Sequence, residues 1–191
     1  MRTEQEMMGL ILGVAAANER VRAVVMNGSR ADPNAPRDIF QDYDIVYYVT
    51  DMASLSEKHE FWWVAIYVAK GLCRREILYA KWRLDRIVRE MLLQMLEWEA
   101  GIATDFLVSM GKCRKRLEAH LPEEQWQALL LTYADGSYEG TWNSLFAACD
   151  LFRQTAKFVA SHFGYEYPGG DDQRVGKHLE WLRDLCASSG V

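Results

Sequence analysis

Only two stretches of this chain have the composition of β-strands, and both lie within its first 50 residues. Val21 to Met26 is short and β-branched, ends at Asn27-Gly28, and runs toward Pro33 and Pro36, which no helix crosses intact. Asp42 to Thr50 is dense in Ile, Val and Tyr. A period of two places Asp42, Asp44 and Val46 on one face of it and Tyr43, Ile45 and Tyr47 on the other. Ahead of both, Thr3 with Glu6 makes a capping-box pattern, and Met7, Met8, Ile11, Leu12, Val14 and Ala15 recur at helical spacing, which predicts a helix over 4–18. From Phe61 to Trp98 there is no proline and one glycine, Gly71, and the apolar periodicity is long enough for two successive helices. Further helices are expected over 103–118, 122–133, 139–163 and 174–187. An isolated two-stranded ribbon is at best marginally stable in water. Either the helices cover it very well or strands are missing.

The 191 residues, 50% of them hydrophobic, exclude a disordered, collagenous or disulfide-stapled chain and allow one large domain or two small ones. The net charge of −5 divides into five basic against eight acidic residues over 1–55 and seventeen against nineteen over 56–191. Neither part has the basic balance of a protein that grips a nucleic-acid backbone, so no nucleic-acid partner is expected. Cys73, Cys113, Cys149 and Cys186 contain no CxxC pair and read as buried free thiols in a reducing compartment. The opening MRTEQEMMGLILGVAAANER is broken by Glu4 and Glu6 and reads as neither signal peptide nor membrane span. A cytoplasmic protein with no membrane partner is expected.

The chemistry concentrates at the two strands. Gly28-Ser29-Arg30 closes the first, and a Gly-Ser turn lets backbone N–H groups and a small hydroxyl approach a phosphate closely. Asp42 and Asp44 open the second, two carboxylates directed the same way, which together suit a divalent cation of the Mg²⁺ type. Each half alone is a weak signal; in order, on consecutive strands, the pair is far more specific. Lys70 and Arg74, four apart, can reach one anion, although periodicity alone reads them as a solvated basic stripe continued by Lys81. Gly71 inside that helix marks either a close approach by a backbone or ligand, or a kink. Lys112, Arg114, Lys115 and Arg116 read as a solvated helix face. His59, His120, His162 and His178 support neither a metal site nor a triad.

Gly28-Ser29-Arg30 followed by Phe40-Gln41-Asp42-Tyr43-Asp44 resembles the nucleotidyltransferase signature as it occurs in aminoglycoside 6-adenylyltransferases, the streptomycin-modifying enzymes. The resemblance runs on through Phe61-Trp62-Trp63-Val64, Tyr67 to Leu72, Arg74 to Leu78, Trp98, Gly101, Ser109, Gly111-Lys112 and Tyr165-Glu166-Tyr167-Pro168. It implies an α+β protein: a partial nucleotidyltransferase-type mixed sheet with a flanking helix over 1–55, then an all-α helical bundle over 56–191. It implies transfer of AMP from ATP to a hydroxyl of an aminoglycoside, with release of pyrophosphate and resistance to the antibiotic. Asp42 and Asp44 would be catalytic and hold Mg²⁺, and Gly28 and Ser29 would cradle phosphates. Arg30 would contact phosphate or pin the acidic loop, and Lys70 and Arg74 would reach the triphosphate. For a polycationic acceptor, Glu97, Trp98, Asp105 and Trp142 are the candidates, with Glu99, Glu139 and Asp150 as further acids. A monomer or homodimer is expected.

The chain departs from that family at one place. Leu55 runs straight into Ser56, where the family inserts the rest of its sheet and its third carboxylate, about 100 residues, so the first unit is about half an ordinary domain. The nearest acids, Asp51, Glu57 and Glu60, have no spacing that recommends them as replacements. Three accounts compete: the sequence skips residues of a longer chain, which matches the strand deficit; the deletion is real; or a short homologue completes its sheet by dimerisation. The rival functional class is a non-catalytic nucleotidyltransferase-like binding or regulatory module of the toxin–antitoxin kind.

Overall fold

A computed structural model describes residues 3–19, 21–27, 30–31, 42–49 and 60–188, with the side chains of Asn27, Asp44, Tyr48 and Val49 outside the description. The junction of Leu55 and Ser56 lies outside the described residues. The chain divides into two units, Met1–Lys58 and His59–Val191. The fold is mixed α+β and mostly helical.

In the first unit, the capping box closes as its residues require. The Glu6 N–H donates to Thr3 Oγ1 at 3.2 Å and the Thr3 N–H donates to the Glu6 carboxylate at 2.7 Å. Helix α1 then spans Glu4–Ala16. Strands β1 (Val21–Asn27) and β2 (Asp44–Val49) pair antiparallel, from Asn27 against Asp44 to Val21 against Val49, with a bulge between Val21 and Ala23. This pair is the whole sheet among the described residues. Tyr47 ties α1 to the ribbon, its hydroxyl donating to Ile11 O at 3.1 Å.

The second unit is all helical. Helix α2 (Glu60–Cys73) buries Trp62, Val64, Ala65, Val68, Ala69 and Leu72, with Phe61 stacked on Phe152, ring centroids 3.6 Å apart. It ends in a Schellman-type turn: the Arg75 N–H reaches Leu72 O at 3.1 Å and the Glu76 N–H reaches Gly71 O at 2.8 Å. Arg75 itself takes the left-handed position, φ 61°, usually given to glycine. Its guanidinium lies 4.2 Å from the Tyr138 ring centre, and the Tyr138 hydroxyl donates to its carbonyl at 2.6 Å.

Helix α3 (Ile77–Arg83) passes through a π-helical turn, Leu84–Val88, into α4 (Arg89–Ala103). Leu84, Val88, Leu92, Leu96 and Ala100, spaced by four, carry one buried stripe across that turn. Arg89 is buried against the end of α5 (Glu123–Leu131), donating to Thr132 Oγ1 at 2.6 Å and Thr132 O at 2.7 Å while pairing with Asp85 at 2.9 Å. A cation there complements the negative end of the helix dipole. Helices α6 (Tyr138–Phe163) and α7 (Gly169–Ser188) complete the bundle, α6 packing on α2, α4 and α5, and α7 on α2. Helix α7 begins five residues before the expected Arg174.

Two expectations are corrected. Residues 103–118 are not a helix: Asp105, Phe106, Gly111, Cys113 and Arg114 all have positive φ, leaving only short 3₁₀ turns at Lys112–Arg114 and Leu117–His120. The basic run is therefore no helix face, and Arg114 turns back to α4, bonding Glu90 at 2.7 Å and Glu97 at 3.0 Å. The cysteines are not all free thiols. Cys73 and Cys186, 113 residues apart, form a disulfide because α2 and α7 bring their Cα atoms within 5.4 Å. Cys113 is exposed and free, and Cys149 is buried, its thiol pushed up by desolvation. No described helix is long and apolar enough to cross a membrane.

Candidate functional site

The antiparallel register carries the site of the first unit. Pairing Asn27 with Asp44 puts the end of β1 and the start of β2 at the same end of the ribbon. Gly28 and Ser29 lie outside the described residues. Arg30, just beyond them, places its guanidinium 4.1 Å from the centre of the Tyr43 ring, between the two aspartates in sequence. The contact uses the face of the guanidinium, whereas phosphate contact would use its edge, so the geometry is compatible with either expected role, pinning the acidic segment or meeting phosphate. Asp42 precedes β2 instead of lying within it, so the alternation expected from Asp42 onward begins at Asp44. Asp42 is half-buried, and the Asp44 carboxylate is outside the described side chains.

Among the described residues no group of three or more His, Cys, Asp or Glu could hold a metal by itself. Two carboxylates at a strand end fit Mg²⁺ all the same, because that ion keeps waters and takes substrate phosphate oxygens as its remaining ligands. Asp51 and Glu57 are outside the described residues, and Glu60 is exposed at the start of α2.

The helical unit sorts its charges unlike the sequence expectation. Arg74 lies one residue past α2, its N–H closing on Lys70 O at 3.0 Å. Lys81 does not continue a stripe with Lys70: it donates to Ala134 O at 3.2 Å and pairs with Asp85 at 3.5 Å. Lys70 Nζ is 5.4 Å from the Tyr67 ring centre, and its charge adds to burial in holding His178 below the usual imidazole range. The sequence reading missed Arg83. Its guanidinium carbon lies 5.3 Å from the centre of Tyr67, 5.2 Å from Tyr79 and 5.4 Å from Trp82. The available signal was the recurrence of aromatic residues at 79 and 82 beside a cation at 83.

The candidates for a polycationic acceptor are not gathered. Glu97 is neutralised by Arg114, Trp98 is exposed on α4, Asp105 is exposed in left-handed backbone at φ 50°, and Trp142 is buried on α6. No hydrogen bond, ion pair or ring contact links any two of the four. Of the further acids, Glu139 pairs with Arg183 at 2.7 Å and Asp150 with Arg153 at 2.6 Å, while Glu99 accepts from Gln125 at 2.6 Å. Trp142 and Glu139 do share an open cleft of about 180 Å³ with Arg75, Tyr138 and Arg183, at the Cys186 end of α7.

Comparison with known proteins places this arrangement. A model of the family described as streptomycin adenylyltransferase matches residues 1–60 and 56–182. An aminoglycoside 6-adenylyltransferase of Bacillus subtilis (strain 168) is 28% identical over 280 aligned positions, covering 95% of this chain and 98% of the relative. One of Campylobacter jejuni is 28% identical over 269 positions, covering 91% and 93%. A crystal structure of an aminoglycoside 6-adenyltransferase from Bacillus subtilis superposes with a TM-score of 0.59 at 26% identity, covering 96% of this chain and 99% of the other. The 280-position alignment takes in 95% of the 191 residues present here, so about 99 of its positions have no counterpart in this chain, and the two stretches matched by the family model overlap at 56–60.

Proposed function

The chain belongs to the streptomycin adenylyltransferase family, and on that premise we propose that it transfers AMP from ATP to a hydroxyl of a streptomycin-like aminoglycoside, releasing pyrophosphate and conferring resistance in the cytoplasm. The acceptor oxygen bonds to the α-phosphorus, the bond to the β-phosphate oxygen breaks, pyrophosphate leaves with that electron pair, and the hydroxyl proton passes to solvent or a base. The observation that supports the reading is the Asn27–Asp44 pairing together with Arg30 on Tyr43, which brings Arg30 beside the residue between Asp42 and Asp44. Asp42 and Asp44 would hold Mg²⁺, and the ion, when bound, offsets charge building on the phosphates. Gly28 and Ser29 would receive phosphate oxygens, and Arg30 would keep Tyr43, and with it the acidic segment, in place. Lys70 and Arg74 would add positive charge toward the triphosphate, and Glu97, Trp98, Asp105 and Trp142 remain candidates for the acceptor. The roughly 99 alignment positions without a residue in this chain support a missing block near residue 56, after a first domain of 1–55 and before a helical one of 56–191.

A second reading, a non-catalytic module, is favoured by the two-strand sheet and by the lack of a third carboxylate among the described residues. Incubating the chain with ATP, Mg²⁺ and streptomycin separates the two. Pyrophosphate release that disappears in Asp42→Asn and in Asp44→Asn, but survives Glu60→Gln, supports the enzyme. No release with any aminoglycoside leaves the module.

A further inference from the structure

The two sulfurs of the Cys73–Cys186 bond are unequally placed. Cys73, the last residue of α2, is buried, whereas Cys186, two residues before the end of α7, is half-buried and lines the cleft of about 180 Å³ described above. Leu72 and Trp142, both buried, give that cleft an apolar side, and Arg75 and Arg183 give it positive charge. Glu139 answers Arg183 at 2.7 Å, but among the described residues no carboxylate pairs with Arg75. Its support is of another kind. The Tyr138 ring lies 4.2 Å from its guanidinium, and the Tyr138 hydroxyl donates to its carbonyl at 2.6 Å. At φ 61° the turn alone would be better served by glycine. What arginine adds there is an unneutralised cation, held by its face on a ring and presenting the N–H fork of its edge to a carboxylate. Disulfides exchange by attack of a thiolate on one sulfur, and access decides which sulfur is taken. The cleft gives access to Cys186, its positive charge favours the thiolate form of a thiol that enters, and Arg75 selects a thiol with a carboxylate. A cavity of about 150 Å³ holds a benzene-sized molecule, so a short mercaptocarboxylate fits inside and a longer one extends from the open mouth.

We propose that this cleft docks small thiols that carry a carboxylate, and that Cys186 is the residue they modify. The carboxylate sits on Arg75. The thiol gives its proton to solvent, and its sulfur bonds to Cys186 Sγ. The Cys73–Cys186 bond breaks, and its electron pair goes to Cys73 Sγ, which takes up a proton and, as a thiol, has Leu182 O 3.5 Å away as an acceptor. The incoming sulfur is oxidised and that of Cys73 reduced, so the products are a mixed disulfide at Cys186 and a free Cys73. A second thiol, attacking the added sulfur, leaves with it as a small disulfide, and Cys186 is then reduced as well. The same small disulfide closes the bond again by the reverse steps, so the tether between α2 and α7 follows the thiol supply. The inference does not depend on the function proposed above.

Three thiols that differ in charge test it: 3-mercaptopropionate, 2-mercaptoethanol and cysteamine. The full chain carries Cys113→Ser, which removes the exposed free thiol, and is first oxidised with glutathione disulfide. Each thiol is then added, the reaction is quenched with acid at intervals, and the cysteines are mapped by mass spectrometry. The first product should carry the added group on Cys186 and a free thiol at Cys73. Arg75→Gly suits φ 61° and keeps the turn. It should slow opening by 3-mercaptopropionate about twofold to fivefold relative to 2-mercaptoethanol, the worth of one exposed ion pair, and cysteamine should gain on both. Arg75→Lys keeps the charge and should restore most of the difference. Each ratio compares the same thiols, so their intrinsic reactivities cancel. A merely structural role for Arg75 would move all three rates together, and unchanged ratios in Arg75→Gly overturn the proposal. So does an added group on Cys73, or a chain that forms no Cys73–Cys186 bond under glutathione disulfide. Where the mixed disulfide is resolved too fast to be mapped, the ratios decide.

Discussion

Asp172, 3% exposed near the start of α7, lies between a guanidinium and a phenol. Arg153 donates to both of its oxygens at 2.8 Å, and the Tyr167 hydroxyl donates at 3.0 Å. These contacts raise Arg153, and burial followed by the carboxylate pushes the Tyr167 hydroxyl up, so both donors keep the protons that the network requires. The Trp62 indole N–H is buried beside them without a hydrogen bond of good geometry, though near enough to oppose the Tyr167 shift. Removing one partner of a buried pair leaves the other charge uncompensated. Arg153 stays partly exposed and keeps Asp150, so Asp172→Asn should lower stability by about 2 kcal/mol, below the full cost of a buried pair, and Tyr167→Phe by about 1 kcal/mol. Urea unfolding of the two variants and their double checks this, the double falling short of the sum because the contacts share Asp172. None of this was legible in sequence, where Asp172 and Arg153 are 19 residues apart and neither spacing nor composition marks them as a pair. Arg83 escaped for the opposite reason: its neighbours are close in sequence, but aromatic residues at helical spacing ordinarily signal core.

Elements whose sequence carried a local physical device were readable. The Thr3–Glu6 box started α1, and Gly164, at φ 69°, ended α6 where expected. Residues 103–118 were not readable, because the apolar spacing persists through a segment whose backbone repeatedly takes positive φ to bring Arg114 back onto α4. Gly71 left two readings open, and the structure decides between them. A Cβ built there would stand 2.8 Å from the Tyr79 ring, 3.2 Å from Ala80 Cβ and 3.3 Å from the Ala80 backbone nitrogen. The glycine therefore admits the next helix, and the backbone of α3 has no rotamer with which to yield. Ala gains up to about 1 kcal/mol of helix propensity, but crowding a packed contact costs about 1 to 3 kcal/mol. Gly71→Ala should be net destabilising, seen as a lower urea midpoint with unchanged slope, whereas a kink would predict stabilisation.

At the scale of the molecule the two units are unequal. Among the described residues Ile11 is the one buried hydrophobic side chain before residue 59, while Leu84, Leu92, Leu96, Leu129, Leu145, Leu151, Leu179 and Leu182 are all fully enclosed in the second unit. A ribbon of two strands with one helix buries too little to offset chain entropy. A fragment of residues 59–191 should unfold cooperatively with the helical circular dichroism of the whole chain, and a fragment of 1–58 should show no cooperative transition. The strand deficit was visible in sequence; the division of the core was not, since apolar residues populate both parts. The Cys73–Cys186 bond adds a further property to the larger unit, for it turns 113 residues of sequence separation into a closed covalent circuit. Leu107, 86% exposed in the irregular segment between α4 and α5, is where a protease gains access. A cut there opens the circuit without dividing it: the nicked protein should run as one band on a denaturing gel without reductant and as two with it, and should keep its helical unit assembled as two peptides on one tether.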